Sequence, residues 1–231
     1  MGNFAWDKEL AKKLMAEFTG VAIVVTLGCC MSTRSFGRGY GESIMNPLVW
    51  GLAYLTATQI FAILSGAHLN PAVSGAATIV GIMEWRLMLC YMLAQLLGAL
   101  AGIALTYAAV DETRNNICLP PTLSHVTVMA IELLATFFLL LAYCAAWDTR
   151  SEGKYETLPL RVGFVYAALS FAIYPGTGAH FNFFRTFAAA VVNNTWVILW
   201  PYLAAHAAAT AAAAFLWRFL FQEEEPEPME T

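Results

Sequence analysis

The sequence contains one short segment twice, GAHLNPAV at residues 66–73 and GAHFNFFR at residues 178–185. Gly, Ala, His and Asn coincide in the two copies, so that Asn70 is the counterpart of Asn182. A single Asn-Pro pair is more typical of an ordinary loop turn. A second copy in register instead favours an internal repeat, which predicts that the chain consists of two equivalent halves.

The composition places the chain in a membrane. Of its 231 residues, 59% are hydrophobic and only 12% are charged, and the mean hydropathy is +0.61. A soluble domain carries about twice that charged fraction. This excludes a nucleic-acid-binding protein, a disordered linker and an ordinary cytosolic enzyme. Residues 223–231 hold five Glu and neither Lys nor Arg, which predicts a disordered, solvated cytoplasmic tail.

The uncharged runs predict an all-α membrane protein, because a transmembrane helix needs about 20 apolar residues. Six full spans are expected, at about residues 14–33, 44–65, 87–109, 126–147, 160–174 and 196–220. The run from Ser43 to Met83 is too long for one span and short for two, and the repeated segment interrupts it. A half-length helix, Pro71 to Val80, follows that segment, and a second, at 183–192, follows the other copy.

Each copy of the repeat contributes three spans, an odd number, so the second copy must be inverted in the membrane. We expect the repeats at about 10–110 and 126–221, within a channel-like domain of residues 1–222. Most Lys and Arg residues then lie on one side, which predicts that both termini are cytoplasmic. The residues on that side are Lys8, Lys12, Lys13, Arg86, Arg150, Lys154, Arg161 and Arg218. No targeting motif distinguishes the plasma membrane from an intracellular one.

Two half-helices that meet at their N-termini would form a binding site for a neutral solute. Each N-terminus carries unpaired N–H donors and a partial positive charge of about half a unit. Asn70 and Asn182 occupy the predicted N-cap positions, where Asn is favoured, and their NH2 groups can point into a cavity. Such a site would bind the oxygen of a solute and repel cations, including protons.

The first copy, SGAHLNPAV at 65–73, closely resembles the first signature loop of the aquaporin, or major intrinsic protein, family. Further matching features are the acidic pair Glu17 and Glu132, the Y-x3-Q-x2-GA pattern from Tyr91, and WVILWP from Trp196. The resemblance covers residues 10 to 220. It implies six helices with two re-entrant half-helices, passive conduction through independent pores in a homotetramer, and pore-lining signature residues that here include Pro71 and Ala72.

The second signature departs from the family pattern, since Phe183 and Phe184 stand where the family has Pro and Ala. Losing Pro at the first helical position is tolerable, because Pro there only pre-organises the helix. Phe184 is the larger change: it must push the half-helices apart or displace packing. A Phe184→Ala change is accordingly expected to raise permeability.

The resemblance also implies a four-residue selectivity filter, formed here by Trp50, Ser170, Ala179 and Arg185. Strict water channels of the family usually have His where Ser170 stands. The small residues predict a wider opening, with Trp50 as an apolar wall and Arg185 as a donor of hydrogen bonds. This favours water together with small neutral solutes such as glycerol. Glycerol-conducting members, however, usually have Asp where this chain has Thr186.

The intramembrane acids Glu17 and Glu132 could act as proton relays or could hold the re-entrant loops in place. We favour the structural role, in which each carboxylate accepts backbone N–H or His donors from its own half. His68 and His180 are the expected neighbours in these loop-bracing groups. A fifth residue assigned to the bracing set is Gln95.

The cysteines show no metal-binding spacing, and we predict neither a metal nor a cofactor. Cys29, Cys30, Cys90 and Cys144 lie in apolar stretches, which favours buried, inert thiols. No arrangement of nucleophile, base and orienting acid predicts an enzyme. A secondary transporter would normally need more spans and an acid at its substrate site. The remaining alternative is a structural or junctional membrane protein with a closed or very slow pore.

Overall fold

The computed structural model describes residues 7–31, 42–110, 118 and 123–223. Within these ranges the secondary structure is helical. The eight α-helices are α1 Lys8–Met31, α2 Glu42–Ser65, α3 Pro71–Ile79, α4 Trp85–Ala109, α5 His125–Trp147, α6 Leu158–Thr177, α7 Phe183–Asn193 and α8 Leu199–Leu216. A π-helical turn, Trp217–Phe221, continues α8. All helices except α3 and α7 belong to segments long and apolar enough to cross a membrane, which confirms the six predicted spans.

The bounds differ from the prediction mainly at the polar ends. Helix α1 begins at Lys8, where the carboxylate of Asp7 accepts a hydrogen bond from the Leu10 N–H at 2.8 Å and caps the first turn. The helix therefore extends beyond the uncharged run that predicted it. Helix α6 likewise continues to Thr177, three residues beyond its predicted end. A sequence count of uncharged residues locates the membrane-embedded part of a helix and misses these ends.

The helices pack in a pattern that repeats between the two halves of the chain. Helix α1 lies along α4 in the first half, and α5 lies along α8 in the second. Helices α2 and α6 make the most extensive contact of the fold and join the halves. Each half-helix also crosses over, α3 packing against α8 and α7 against α4. This exchange brings the two repeated segments together in the bundle.

Glycines permit the closest helix crossings. An added Cβ at Gly51 of α2 would lie 2.6 Å from the carbonyl oxygen of Gly163 on α6. At Gly98 of α4 it would collide with the carbonyl oxygen of Phe18 on α1. Backbone atoms cannot move aside as a side chain can, so small residues are required at both crossings.

A disulfide bond joins Cys29, at the end of α1, to Cys118, 89 residues further along the chain. Their Cα atoms are 5.2 Å apart. The prediction that Cys29 is an inert thiol is therefore wrong. Its partner lies between the two repeats, outside the apolar stretches that guided the prediction. The pairing joins residues distant in the chain, so the tertiary structure alone decides it.

Breaking this disulfide is expected to lower the stability of the protein. A Cys29→Ser or Cys118→Ser change should cost about 2–4 kcal/mol, because the bond constrains a long loop in the unfolded chain. Thermal unfolding in detergent, with and without reductant, measures the effect, and non-reducing peptide mapping checks the pairing. Cys90→Ser is the control, since Cys90 is outside the disulfide. Equal sensitivity to reductant in native and Cys118→Ser proteins would contradict the prediction.

Candidate functional site

The two repeated segments adopt the same left-handed backbone pattern. Positive φ angles occur at Gly66, Ala67 and Leu69 in the first segment. They recur in the second at Gly178, Ala179 and Phe181. Non-glycine residues adopt this conformation only at an energetic cost, so each loop must be held by its surroundings. Buried carboxylates supply the contacts that hold them.

Glu17 of α1 is buried and accepts four hydrogen bonds. Two come from the backbone N–H groups of His68 and Leu69, at 2.9 and 2.7 Å. The Ser65 hydroxyl and the Gln95 amide donate the others, at 2.6 and 2.8 Å. Both carboxylate oxygens are thus used, as only an acceptor with two oxygens allows.

Glu132 of α5 makes the equivalent set of contacts in the second half. The backbone N–H groups of His180 and Phe181 donate to it at 2.9 and 3.0 Å. The Thr177 hydroxyl donates at 2.6 Å, and Nε2 of His206 lies 3.1 Å from Oε2. Each acid therefore holds the re-entrant loop of its own half.

His68 and His180 are neighbours of these acids, as expected, but they contact them through their backbone N–H groups and not through their imidazole rings. Nδ1 of His68 lies 3.2 Å from the Ser74 hydroxyl, and Nδ1 of His180 lies 2.8 Å from the Thr186 hydroxyl. The rings thus tie each loop to the first turns of the half-helix that follows. The contact with the acid comes instead from the main chain, whose left-handed conformation turns the N–H groups inward.

His206 and two tyrosines also hold these loops, a role that the sequence pattern did not predict for them. The hydroxyl of Tyr91 donates to the Ser65 carbonyl at 2.9 Å, and that of Tyr202 donates to the Thr177 carbonyl at 2.6 Å. A signal was present in the sequence: Tyr91 precedes Gln95 by four residues, and Tyr202 precedes His206 by four. Comparing α4 with α8 position by position would have paired His206 with Gln95.

The N-termini of α3 and α7 are joined through Asn70 and Asn182. Each side chain caps its own helix, Asn70 by accepting from the Ala72 N–H at 2.9 Å and Asn182 from the Phe184 N–H at 3.0 Å. Each NH2 group then crosses to the other loop. The amide of Asn70 donates to the Phe181 carbonyl at 3.0 Å, and that of Asn182 to the Leu69 carbonyl at 2.9 Å.

Phe183 and Phe184 do not separate this junction. The reciprocal bonds of Asn70 and Asn182 form with Phe184 in place, which leaves displaced packing as the consequence of the larger residue. Phe184 is half-buried and packs against the hydrophobic core. Phe183, at the first position of α7, lies 6.2 Å from the Phe184 ring and 6.4 Å from the Phe187 ring. Pro71 and Ala72 occupy the equivalent first turn of α3.

Three of the four predicted filter residues are in direct contact. The guanidinium of Arg185 lies over the Trp50 ring, 3.4 Å from its centroid. The two terminal nitrogens of Arg185 donate to the carbonyls of Ala179 and, at 2.9 Å, Gly178. Trp50, Ala179 and Arg185 are each at most 3% exposed. The expected wide opening is therefore filled by the Trp50–Arg185 stack.

The fourth predicted filter residue, Ser170, lies on α6 and is also buried. Its hydroxyl has no hydrogen-bond partner among the described residues, and the same holds for Nε of Arg185. The other donors of Arg185 bind loop carbonyls. The Tyr54 hydroxyl and Nε2 of His180 are likewise buried without a hydrogen-bond partner among the described residues.

A family model for the major intrinsic proteins matches residues 5–217. The chain belongs to the major intrinsic protein family. The lens fiber major intrinsic protein of Gallus gallus is 34% identical over 210 residues, which cover 89% of this chain and 80% of the relative. The protein of the same name from Oryctolagus cuniculus is 32% identical over 214 residues, 90% of this chain and 81% of the relative. The resemblance to the family is thereby confirmed.

The fold agrees with that of a solved channel structure. The X-ray structure of the aquaglyceroporin from Plasmodium falciparum superposes with a TM-score of 0.77 and 22% identity, covering 91% of this chain and 96% of that one. With six apolar helices, this major intrinsic protein is an integral, multi-pass membrane protein. The family consists of channels and not of enzymes, as the sequence predicted.

Proposed function

We propose that the protein is a passive channel for water and small neutral solutes such as glycerol, and that it excludes ions and protons. The observation that carries this proposal is the junction of α3 and α7, where Asn70 and Asn182 join two helix N-termini. Two aligned partial positive charges attract the oxygen of a neutral solute and repel cations. Arg185 adds a full positive charge on the same side of the junction as Trp50.

The filter residues support a solute with one polar and one apolar face. Trp50 presents a flat aromatic surface, whereas the Ser170 hydroxyl and Nε of Arg185 have hydrogen-bonding capacity that the described residues do not use. Ala179 adds little bulk. Glycerol, with hydroxyls along one edge of a carbon chain, fits this combination better than an ion does. The aquaglyceroporin named above is similar in fold alone.

Membrane orientation and assembly form part of the same proposal. Helix α1 begins at Lys8 and ends beside the Cys29–Cys118 disulfide, so these features lie at opposite membrane faces. Lysines favour the cytoplasmic face, whereas disulfides persist on the oxidising side. Both termini are then cytoplasmic, as the Lys and Arg bias predicts. The protein assembles as a homotetramer with one pore in each subunit.

One observation favours the alternative of a structural or junctional protein with a closed or very slow pore. All four predicted filter side chains are shielded from solvent, and Trp50 is only 1% exposed. A pore that conducts must move the Trp50 ring away from Arg185, whereas a structural protein has no need to do so.

Stopped-flow light scattering with proteoliposomes tests the proposal. An impermeant osmolyte should shrink the vesicles faster than empty liposomes, and a glycerol gradient should then show re-entry. Ser170→His should abolish glycerol re-entry while water flow persists, because the ring narrows the filter. Ser170→Ala is the matched control: it adds no bulk, so water flow should persist, and it loses only the hydroxyl, so glycerol re-entry should slow without being abolished. Intact tetramers of native protein with neither flux would overturn the channel and support the structural role.

A further inference from the structure

The internal repeat extends to a pair of tyrosines that the signature motifs do not include. Tyr54 of α2 lies 16 residues before Asn70, and Tyr166 of α6 lies 16 residues before Asn182. The glycines of the α2–α6 crossing, Gly51 and Gly163, precede the same asparagines by 19 residues each. Both pairs therefore occupy equivalent positions of the two halves, where α2 meets α6.

The close crossing brings the two tyrosine rings into a parallel stack. Their centroids are 3.5 Å apart and their planes differ by 4°. Tyr54 is 2% exposed and Tyr166 is fully buried. Without Cβ atoms, Gly51 and Gly163 allow the backbones of α2 and α6 to approach, so that the rings meet face to face.

The stacked pair lies against the asparagines at the junction of the half-helices. The amide of Asn70 donates to the Tyr166 hydroxyl at 3.2 Å, in addition to its bond with the Phe181 carbonyl. An amide NH2 has two N–H donors, so both donors of Asn70 are occupied. The Tyr54 hydroxyl lies near the side chain of the other asparagine, Asn182, but makes no hydrogen bond with a described residue. A solute can bind the Asn70 amide only after Tyr166 leaves it.

The pair also lies on the path that the filter opens. Trp50 precedes Tyr54 by one helical turn on α2, and Ser170 follows Tyr166 by one turn on α6. Since the two helices run in opposite directions through the membrane, both filter residues lie on the same side of the tyrosine pair. A solute that passes Trp50 and Ser170 meets the two rings next, before it reaches the asparagines.

We infer that the Tyr54–Tyr166 pair, rather than Phe184 or the filter, limits the rate at which water and neutral solutes pass through this protein. This inference rests on the proposed channel function and names the step that controls it. The two rings must separate, and Tyr166 must release the Asn70 amide, before a solute crosses the junction. Because the two tyrosines occupy the same position of the two repeats, each half of the chain contributes one ring to the same constriction of the pore.

Unit permeability of proteoliposomes, measured by stopped-flow light scattering at equal amounts of tetramer, tests the inference. Tyr54→Leu and Tyr166→Leu, singly and together, remove stacked rings and should raise water and glycerol flux by about tenfold or more. A tenfold rise corresponds to a barrier lowered by ~1.4 kcal/mol. Tyr166→Phe keeps the ring but removes the hydroxyl that binds the Asn70 amide, so it should raise flux less than Tyr166→Leu does. If the double variant does not fold, Tyr54→Leu alone tests the inference, because it removes one ring and retains the bond between Asn70 and Tyr166.

Phe184→Ala is the matched control, because it removes an aromatic ring from the other candidate position. A large rise for Phe184→Ala with no rise for the tyrosine variants would overturn the inference and leave the channel function intact. The inference would also be overturned if the native protein conducts and the folded tyrosine variants conduct at the same rate. Absence of flux from native tetramers would instead contradict the proposed function. If flux then appeared in the tyrosine variants alone, it would support the pair as the block.

Discussion

Glu17→Ala is expected to destabilise the protein by more than about 4 kcal/mol, because each buried donor left without an acceptor costs ~1–3 kcal/mol. Four donors converge on this carboxylate, two of them from the backbone of the loop that precedes Asn70. Without the carboxylate, no hydrogen bonds offset the energetic cost of the left-handed loop conformation, and the N-terminus of α3 is no longer held in position. Thermal unfolding in detergent and the yield of monodisperse protein measure the effect.

Glu9→Ala is the matched control on the same helix. Glu9 forms an exposed ion pair with Lys12 at 2.6 Å, and its side chain is 69% exposed. Exposed pairs of this kind contribute little, so the change should cost at most about 0.5 kcal/mol. Glu17→Gln keeps one acceptor oxygen and should lie between the two. If Glu17→Ala protein unfolds at the same temperature as the native protein, contacts other than the carboxylate hold the loop.

Arg185→Leu is expected to lower stability and to weaken the exclusion of cations. The change leaves the carbonyls of Gly178 and Ala179 without a donor, at a cost on the order of 2–4 kcal/mol. It also removes a positive charge that forms no salt bridge within the part of the chain that the structure describes. A cation approaching the half-helices then meets a lower barrier. Proton flux into liposomes loaded with a pH-sensitive dye should rise above that of native protein.

Arg185→Lys separates the two roles of the side chain. Lysine keeps the charge but lacks the planar fork that reaches two carbonyls at once. We expect reduced stability with cation exclusion preserved. Should folded Arg185→Leu protein exclude protons as well as the native protein does, the barrier would reside in the helix N-termini at Asn70 and Asn182.

The repeated segment was sufficient to predict most of the fold. Two copies in register, each between apolar runs, predict two half-helices within six spans, and the structure has α3 and α7 at those positions. The prediction succeeded because it depends on local properties. A continuous run of about 20 apolar residues satisfies its backbone hydrogen bonds in lipid as a helix, and Asn followed by a helical segment is typical of an N-cap.

The hydrogen-bond partners of individual side chains could not be predicted from the sequence. The sequence placed Glu17 and His68 in one neighbourhood, but the structure assigns the acid to the backbone N–H of His68 and the ring to Ser74. The choice depends on the left-handed turn of the loop, which orients main-chain and side-chain donors in different directions. A sequence pattern indicates which residues are near each other and leaves the direction of each donor undetermined.

The sequence by itself determined the membrane location, the inverted repeat, the two capped half-helices and the family. Only the tertiary structure decided that Cys29 pairs with Cys118, that Trp50 covers Arg185, and that Tyr54 stacks on Tyr166. The physical reason is the same in each case. Helix formation and burial in lipid follow from short stretches of residues, whereas these contacts join segments distant in the chain and exist only once helices cross at a particular distance and angle.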